Sequence, residues 1–288
     1  MQMQTIAQSS PAVSSATAAA AAQAARRAPP FRARLGGLAH RILPPLVIIA
    51  GVLGGWEIAG HWLGLPDYIL PAPSRIWGAF ITNPALFVRH TPITVLEALL
   101  GFCIGNGIAI FLAISFVHSR TVERAIYPMA VGMRSIPFVA LAPILIIWMG
   151  HGLAPKVTIA ALVSFFPTLV NMVRGLRSVD REAFELMHTL SATRWQVLWK
   201  LRWPSATPFL FSALKISAAG TVLGAVVAEW IGSDRGLGYL VVMSTYEFRI
   251  PLLWAVIAVT STLALTLFGL VIVAEHFLSY RGTTDDGG

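Results

Sequence analysis

The chain has 288 residues, of which 56% are hydrophobic and 12% are charged, and its mean hydropathy is +0.71. Because a typical soluble domain has about 25% charged residues, this composition excludes a soluble globular protein and indicates an integral membrane protein. The net charge of +8 does not indicate nucleic-acid binding, since the basic residues lie in short segments between apolar runs rather than in one cluster.

Residues 1–38 are rich in Ala, Ser and Gln and then basic, which predicts a disordered cytoplasmic tail. An organellar transit peptide is the alternative interpretation. Six apolar segments follow, each long enough for the helix of about 20 residues that crosses a bilayer. They lie at 43–63, 98–119, 135–155 (with a helix that begins near 126), 157–173, 207–228 and 250–274. The polar residues 283–288 are predicted to be a disordered cytoplasmic C-terminus.

The positions of Lys and Arg predict the orientation of these spans. With the N-terminus inside, the cytoplasmic segments hold fourteen of the 21 basic residues and the outer segments hold five, while Arg134 and Lys215 fall within spans. Cytoplasmic loops of membrane proteins carry the excess of positive charge, so both termini are predicted to be cytoplasmic. The segment 177–206 is then the largest cytoplasmic loop after the N-terminal tail.

The stretch 185–204, ELMHTLSATRWQVLWKLRWP, is charged and helix-forming, and it lies between apolar segments. A small-residue break at 191–193 predicts two short helices joined by a tight turn, with Ser191 or Thr193 capping the second helix. Pro204 is predicted to end the helical run. From this pattern alone two interpretations stay open: a helix that lies on the lipid headgroups through its three tryptophans, or a docking element for a soluble partner.

This stretch resembles the EAA loop of ABC-importer permeases, whose pattern is EAA, three residues, Gly, nine residues and I-x-L-P. In this alignment Glu185 matches the Glu, Ser191 the Gly, Leu201 the Ile and Pro204 the Pro. The sequence departs from the pattern at both alanines, at the glycine and at the last leucine. Serine replaces glycine poorly where the backbone needs a positive φ, so the shape of the turn is the expected point of difference.

The resemblance covers residues 40–282 and is carried by further motifs in the family's order. LPAPS, RSIP, FFP, GLRSVD, AEWIG and GLGYL resemble permeases of the nitrate/sulfonate/taurine group, and they lie at 70–74, 134–137, 165–167, 175–180, 228–232 and 236–240. Two shorter stretches, 185–187 and 224–227, are more similar to permeases proposed for vitamin or pyrimidine precursors.

The resemblance implies an all-α polytopic membrane protein with six transmembrane helices, the type I ABC-importer permease fold, in a transmembrane domain at 39–282. It also implies a bacterial inner-membrane permease that acts as a homodimer with two cytoplasmic ABC ATPase subunits and a periplasmic solute-binding protein. The chain contains no G-x-x-x-x-G-K-[ST] phosphate loop, so the ATPase is expected to be a separate chain that binds the ATP and Mg²⁺. No cofactor is expected on this chain.

In the family the EAA helices insert into a groove on the ATPase. The residues that the resemblance assigns to this coupling role are Glu185, Leu186, Leu190, Ser191, Ala192, Thr193, Arg194, Trp195 and Pro204. The implied cargo is a small organic anion of the nitrate, sulfonate or taurine kind, and the alternative is a neutral vitamin or pyrimidine precursor. A secondary transporter is a further alternative.

Polar residues within the spans are candidates for the translocation path: Arg134, Ser135, Ser164, Thr168, Asn171 and Lys215. A charge in a span costs about 2.5–3.5 kcal/mol or more, so Arg134 is expected either to face the path or to snorkel to the membrane surface. The i, i+4, i+7 spacing of the polar residues at 164–171 suits either a polar path or hydrogen bonds to a neighbouring helix. Gly101-x-x-x-Gly105 permits close helix contact within the chain or across a dimer.

The sequence indicates no covalent chemistry. The seven histidines are scattered singly, and Glu57, Asp67 and Glu97 form no cluster, so neither a metal site nor a catalytic set is predicted. A secondary transporter needs an acidic residue deep in a span, and both Glu57 and Glu97 lie near predicted helix ends. Cys103 is the one cysteine of the sequence, so no intrachain disulfide forms.

Overall fold

The computed structural model describes residues 31–62, 66–133 and 135–280, with side chains described between 43 and 278. Arg134, the segment 283–288 and most of the predicted tail at 1–38 lie outside the described residues. Within these residues the secondary structure is helical. The helices are α1 Phe31–Trp62, α2 Pro73–Thr82, α3 Pro84–His118, α4 Arg120–Met133, α5 Phe138–Met149, α6 Leu153–Arg177, α7 Arg181–Thr189, α8 Arg194–Val197, α9 Trp203–Glu229, α10 Leu237–Tyr246 and α11 Ile250–Tyr280. A π-helical turn, Leu198–Arg202, joins α8 to α9.

The chain divides between residues 64 and 65 into two units. The first unit contains α1, whose segment Leu43–Trp62 is long and apolar enough to cross a membrane. This segment agrees with the predicted first span at 43–63. Pro44 and Pro45 lie inside α1 near the start of that span.

In the second unit four continuous helical segments are long and apolar enough to cross a membrane: Pro84–His118, Leu153–Arg177, Arg194–Glu229 and Ile250–Leu278. They contain the predicted spans, but α3 begins at Pro84 rather than near residue 98. The sequence between these points carries Arg89, His90 and Glu97, and ionisable residues of this kind are typical of a loop outside the membrane. Two of them, His90 and Glu97, are buried against other helices, so the helix continues through them.

The third predicted span is divided in two. The helices α4 and α5 are bent by 105° at the break that follows Met133. Pro137 is the N-cap residue of α5, and a proline there cannot donate the backbone hydrogen bond that would continue α4. The described residues therefore contain five candidate spans, or six if this bent pair is one span.

Close packing of α6 between α3 and α9 forms the centre of the second unit. A Cβ atom on Gly101 would lie 2.4 Å from the Cβ atom of Ala160, and one on Gly105 would lie 2.2 Å from Ser164 Oγ. Both distances are far shorter than van der Waals contact, so these glycines let α3 approach α6 within one chain.

Two apolar clusters lie at opposite ends of this bundle. One joins α3, α6 and the π turn through Phe116, Leu169, Met172, Leu176 and Leu198. The other joins α3, α9, α10 and α11 through Phe87, Val226, Leu237, Leu240, Leu252 and Val256. Lipid chains are as apolar as these side chains, so dense packing rather than transfer from water stabilises the bundle. The clusters fix the 178–202 segment at one end and α10 at the other.

Candidate functional site

The first candidate site is the 178–202 segment, which connects α6 to α9 and begins with α7. Asp180 is the N-cap residue of α7, and its carboxylate accepts a hydrogen bond of 3.4 Å from the amide of Glu182. Glu185 forms an i, i+4 ion pair with Arg181, with 2.9 Å between Oε1 and Nε. Both side chains of that pair are mostly exposed, and such pairs contribute about 0.3–0.5 kcal/mol. The carboxylate of Glu185 is therefore held only weakly and stays accessible.

The turn after α7 has the geometry that usually requires glycine. Ser191 has a φ of 53°, its amide donates to the carbonyl of His188 at 2.9 Å, and the amide of Ala192 donates to Met187 at 3.0 Å. These two bonds are the Schellman pattern that closes a helix C-terminus. The turn thus keeps the shape of a glycine turn, and the serine adopts an unfavourable conformation that costs about 1–2 kcal/mol.

Thr193 is the N-cap residue of the second helix, α8, as the sequence predicted. Its hydroxyl accepts from the amide of Gln196 at 3.3 Å, and the Gln196 side chain accepts from the amide of Thr193 at 2.7 Å. This reciprocal pair is a capping box. It fixes the direction in which the chain leaves the turn at Ser191.

The prediction that Pro204 ends the helical run is wrong. The amide of Trp203 donates to the carbonyl of Leu198, which makes a π turn, and Pro204 then lies in the first turn of α9. The π turn shifts the backbone hydrogen-bond ladder just before Pro204, so the missing N–H group of the proline is accommodated inside a continuous helix. The helical segment Arg194–Glu229 consequently runs through the proline without a loop.

Three large apolar side chains of this segment are mostly exposed. Leu186, Leu190 and Trp195 are 60%, 68% and 60% exposed, whereas Leu198 is fully buried. The ring centroid of Trp195 lies 5.1 Å from that of His118. The segment is therefore anchored on one side by Leu198 and exposes an apolar surface on the other. Ala192 is partly buried behind the turn, and Arg194 is exposed.

The candidate path residues on α6 contact neighbouring backbone and helices. The buried hydroxyl of Ser164 donates to the carbonyl of Gly101 at 3.2 Å, and the buried hydroxyl of Thr168 donates to Asn106 Oδ1. Asn171 donates to the carbonyl of Pro167 in its own helix at 2.8 Å. Of the two interpretations of this spacing, these contacts agree with interhelical hydrogen bonding for Ser164 and Thr168.

The remaining path candidates lie apart from these. Ser135 is exposed in the break before α5, and its amide donates to the carbonyl of Gly132 at 3.0 Å. Lys215 pairs with Glu275 of α11 at 2.5 Å, with both side chains about a quarter exposed. A role in the translocation path stays a prediction for all six residues.

Asn106 was not predicted, although it joins three spans. Its Oδ1 atom accepts from Thr168 of α6 and from Ser217 of α9 at 3.2 Å, while its Nδ2 atom donates to Phe102 at 2.7 Å. The side chain is 4% exposed. A lone asparagine one residue after Gly105 was the available signal, because Asn inside an apolar span usually has an interhelical partner.

A second candidate site is a buried charged cluster that consists of Glu97, Lys156 and Glu229, which we call the carboxylate cluster. Lys156 Nζ lies 3.1 Å from Glu97 Oε1 and donates to Ser233 Oγ at 2.8 Å. Glu229 accepts a hydrogen bond from Thr94, which lies one helical turn before Glu97 on α3, and both glutamates are 1% exposed. The prediction that Glu97 lies near a helix end is wrong, because α3 extends from Pro84 to His118. Three spans supply one residue each.

The carboxylate cluster also holds the turn that precedes α10. Glu229 accepts from the hydroxyl of Thr94 at 2.7 Å and from the amide of Gly238. The amide of Gly236 donates to His90 Nδ1 at 3.0 Å, and the amide of Leu237 donates to Thr94 Oγ1 at 2.8 Å. The first amides of α10 are thus capped by side chains of α3 and α9. The signal in the sequence was the glutamate of AEWIG shortly before the glycines of GLGYL.

No group of three or more His, Cys, Asp and Glu side chains in the described part of the chain is arranged to hold a metal ion. The two candidate sites lie at opposite ends of α9: an exposed apolar segment precedes the helix, and a buried polar cluster lies at its C-terminal end.

Comparison with known proteins assigns this architecture to a class. Residues 105–279 match the family described as "Binding-protein-dependent transport system inner membrane component", and the chain belongs to this family. It is therefore a permease subunit of an ABC importer, a non-catalytic inner-membrane component whose ATPase is a separate partner. The predicted family, fold class and function class are confirmed, and the secondary-transporter alternative is set aside.

Individual relatives carry three different descriptions. The chain is 34% identical to the formylaminopyrimidine transport permease protein ThiX of Halalkalibacterium halodurans, over 83% of this chain and 96% of that protein. It is 36% identical to the riboflavin transport system permease protein RibX of Chloroflexus aurantiacus, over 77% of this chain and 84% of that protein. It is 31% identical to the putative aliphatic sulfonates transport permease protein SsuC of Bacillus subtilis, over 75% of this chain and 77% of that protein.

A solved structure supports the fold. A chain of the MetNI methionine ABC transporter, in inward-facing conformations, matches with a TM-score of 0.55 and 18% identity. The match covers 71% of this chain and 97% of that one. At this identity the likeness concerns the fold and not the cargo.

Proposed function

We propose that two copies of this chain form the translocation path of the importer, with both termini and the 178–202 segment in the cytoplasm. Two ATPase subunits bind the 178–202 segments and hold the ATP and Mg²⁺, and a periplasmic binding protein delivers the solute from the other side. The observation that carries this proposal is the exposed apolar surface of Leu186, Leu190 and Trp195 on a turn that is capped at both ends. Exposed apolar side chains within a charged segment suit insertion into a groove.

The continuous helix from Arg194 to Glu229 supports a mechanism of alternating access. At a rise of 1.5 Å per residue, a helix of this length spans about 50 Å, which exceeds the thickness of a bilayer. When ATP binding closes the ATPase pair, the two 178–202 segments move together. Because α8 and α9 have no loop between them, that displacement passes to Glu229 and to the capped turn before α10.

For the cargo we propose a heterocyclic solute of the formylaminopyrimidine or riboflavin kind. Two relatives that are described as permeases for such compounds are 34% and 36% identical to this chain. Lys156 and Lys215 are each paired with a glutamate, so their charges are already neutralised and favour an anionic cargo little. A sulfonate is the second candidate, supported by the 31% identity to SsuC.

Co-purification tests the docking role. Leu190→Asp should release the ATPase from the permease while the permease still inserts into the membrane, and Leu190→Met is the matched control that keeps an apolar side chain. Charge reversal at Glu185 should weaken the complex to a smaller extent, because that carboxylate lies at the side of the apolar surface. Retention of the ATPase by Leu190→Asp would contradict docking at this turn.

The cargo is tested separately in proteoliposomes. The assembled importer should take up one labelled solute when the binding protein and ATP are both present, with riboflavin, a formylaminopyrimidine and an alkanesulfonate as the solutes compared. Uptake of the sulfonate alone would overturn the heterocycle and keep the importer. ATP hydrolysis without uptake of any solute would contradict the proposed translocation role.

A further inference from the structure

A cavity of about 620 Å³ opens where α3 ends, α4 begins and α6 ends. Its charged lining consists of Arg120, Glu123, Arg124, Arg177 and Arg202. The four arginines come from three separate parts of the chain, so the fold rather than local sequence brings them together. The cavity lies apart from the exposed apolar surface of Leu186, Leu190 and Trp195.

Positive charge in this cavity is largely uncompensated. Glu123 is its one acidic lining residue, and it forms an ion pair with Arg177. Among the described residues, Arg120, Arg124 and Arg202 have no carboxylate within ion-pair distance. Like charges that share a partly enclosed space repel each other, and a bound anion removes that cost. The guanidinium group donates in a planar fork that fits phosphate oxygens.

The rest of the lining is apolar. Phe116 is 1% exposed, and its ring meets that of Tyr127 edge to face with centroids 6.1 Å apart. Val117 and Pro128 complete this wall. A cationic rim above an aromatic and aliphatic wall matches an amphiphilic anion better than a fully hydrated one.

A second cavity, of about 510 Å³, shares Arg120 and Arg202 with the first and adds Arg194, His118 and His188. Trp199 and Trp203 lie beside Arg202 in the chain, with ring centroids 5.2 Å apart. Tryptophans concentrate at the level of lipid headgroups, and the ends of α3 and α6 lie at the same part of the fold. The basic cavity is thus at the depth where a phospholipid presents its phosphate.

We propose that this cavity binds a phosphate-bearing anion, the chemistry that an anionic phospholipid headgroup shares with soluble phosphate, and that the headgroup is the source. The phosphate lies between Arg120, Arg124 and Arg202, while the glycerol and the start of an acyl chain contact the wall of Val117, Tyr127 and Pro128. Arg202 ends the π turn, so the bound phosphate ties the 178–202 segment to the start of α4. The inference does not depend on the identity of the cargo.

The test uses the purified full-length chain in a neutral detergent. Phosphatidylglycerol, phosphatidylcholine and inorganic phosphate are titrated separately, with binding measured by native mass spectrometry and by the thermal unfolding midpoint. Phosphatidylglycerol is expected to bind and to raise the midpoint more than phosphatidylcholine. Arginines near an anionic surface each add to the attraction, so Arg120→Gln with Arg124→Gln should weaken phosphatidylglycerol binding about tenfold or more.

A matched control removes two charges outside the cavity, Arg174→Gln with Arg181→Gln, and should leave the affinity within about twofold of the original because neither residue lines the cavity. Arg120→Lys with Arg124→Lys retains the charge and should keep most of the affinity, which separates a binding defect from misfolding. Binding of inorganic phosphate with the same arginine dependence would keep the site and assign it to a soluble ligand. Three results would overturn the proposal. The first is an equal loss of lipid affinity in the cavity and control variants, and the second is equal binding of phosphatidylglycerol and phosphatidylcholine. The third is loss of lipid binding in the assembled importer.

Discussion

Glu97 and Lys156 form a buried ion pair between two spans, with 3.1 Å between Oε1 and Nζ. Glu97 belongs to α3, and Lys156 lies in the first turn of α6, where the positive end of the helix dipole makes a cation unfavourable. The carboxylate therefore offsets both the charge of the lysine and the dipole of α6. Removal of either partner leaves one charge buried without its counterion.

We expect Glu97→Gln or Lys156→Met to destabilise the protein by about 3–5 kcal/mol, the cost of breaking a buried ion pair. The double variant should be considerably more stable than either single variant, because neither member of the pair is left without the other. Thermal unfolding in detergent measures both effects. The less deeply buried pair of Lys215 and Glu275 is the control, and its single variants should cost clearly less. A double variant as unstable as the singles would show that the pair has no coupling.

The glycines of α3 provide a second prediction. Gly105→Ala should disrupt the contact of α3 with α6, because the added Cβ would lie 2.3 Å from the carbonyl oxygen of Ala161, a backbone atom that cannot rotate away. Overpacking of this kind costs about 1–3 kcal/mol or more. Gly107→Ala is the matched control two residues further on, where nothing lies within 4 Å. Detergent-solubilised Gly105→Ala should unfold at a lower temperature than the parent, and Gly107→Ala should not.

Most of the spans could be predicted from the sequence because bilayer thickness and apolar run length are strongly linked. The start of α3 could not, because its first fourteen residues carry charges whose partners lie more than fifty residues away. Glu97 is paired with Lys156, and His90 accepts a hydrogen bond from Gly236. A local hydropathy pattern contains no information on such long-range neutralisation.

The docking role of the 178–202 segment was implied by its resemblance to the EAA loop, and the prediction that failed concerned the helix after it. A proline normally ends a helix, but the π turn Leu198–Arg202 changes which carbonyl each amide meets just before Pro204. Helix propensities describe a regular ladder of backbone hydrogen bonds between residues i and i+4, so the sequence alone does not indicate this shift. The carboxylate cluster was not predicted for another reason. Its three residues are isolated in the sequence and meet only in the folded chain.

Ser191 yields a prediction with a favourable sign. Ser191→Gly should stabilise the turn by about 1 kcal/mol, because glycine adopts a φ of 53° without the Cβ strain that serine experiences. Ser191→Val should do the reverse, since a β-branched residue is especially unfavourable at positive φ. Amide hydrogen exchange at Ala192, whose N–H closes the turn on Met187, measures the effect locally. Faster exchange in Ser191→Gly than in the parent would contradict the strained-turn interpretation.

The turn before α10 provides the last prediction. Glu229→Ala removes the acceptor for both the Gly238 amide and the Thr94 hydroxyl, and leaving buried donors unpaired costs about 1–3 kcal/mol for each group. Amide exchange at Gly238 should therefore become about tenfold faster or more, since 1.4 kcal/mol corresponds to a factor of ten. Glu229→Gln keeps an acceptor oxygen and should lie between the parent and the alanine variant.

Asp234→Ala is the control for this turn, because the Asp234 side chain is 89% exposed and pairs only loosely with Arg235 at 3.7 Å. It should leave the exchange of Gly238 unchanged. If Glu229→Ala exchanges as slowly as the parent, the turn is held by His90 and Thr94 alone. If exchange rises over all of α9 instead, the glutamate stabilises the whole helix rather than clamping the start of α10. A local change confined to residues 236–240 is the result that the capping geometry requires.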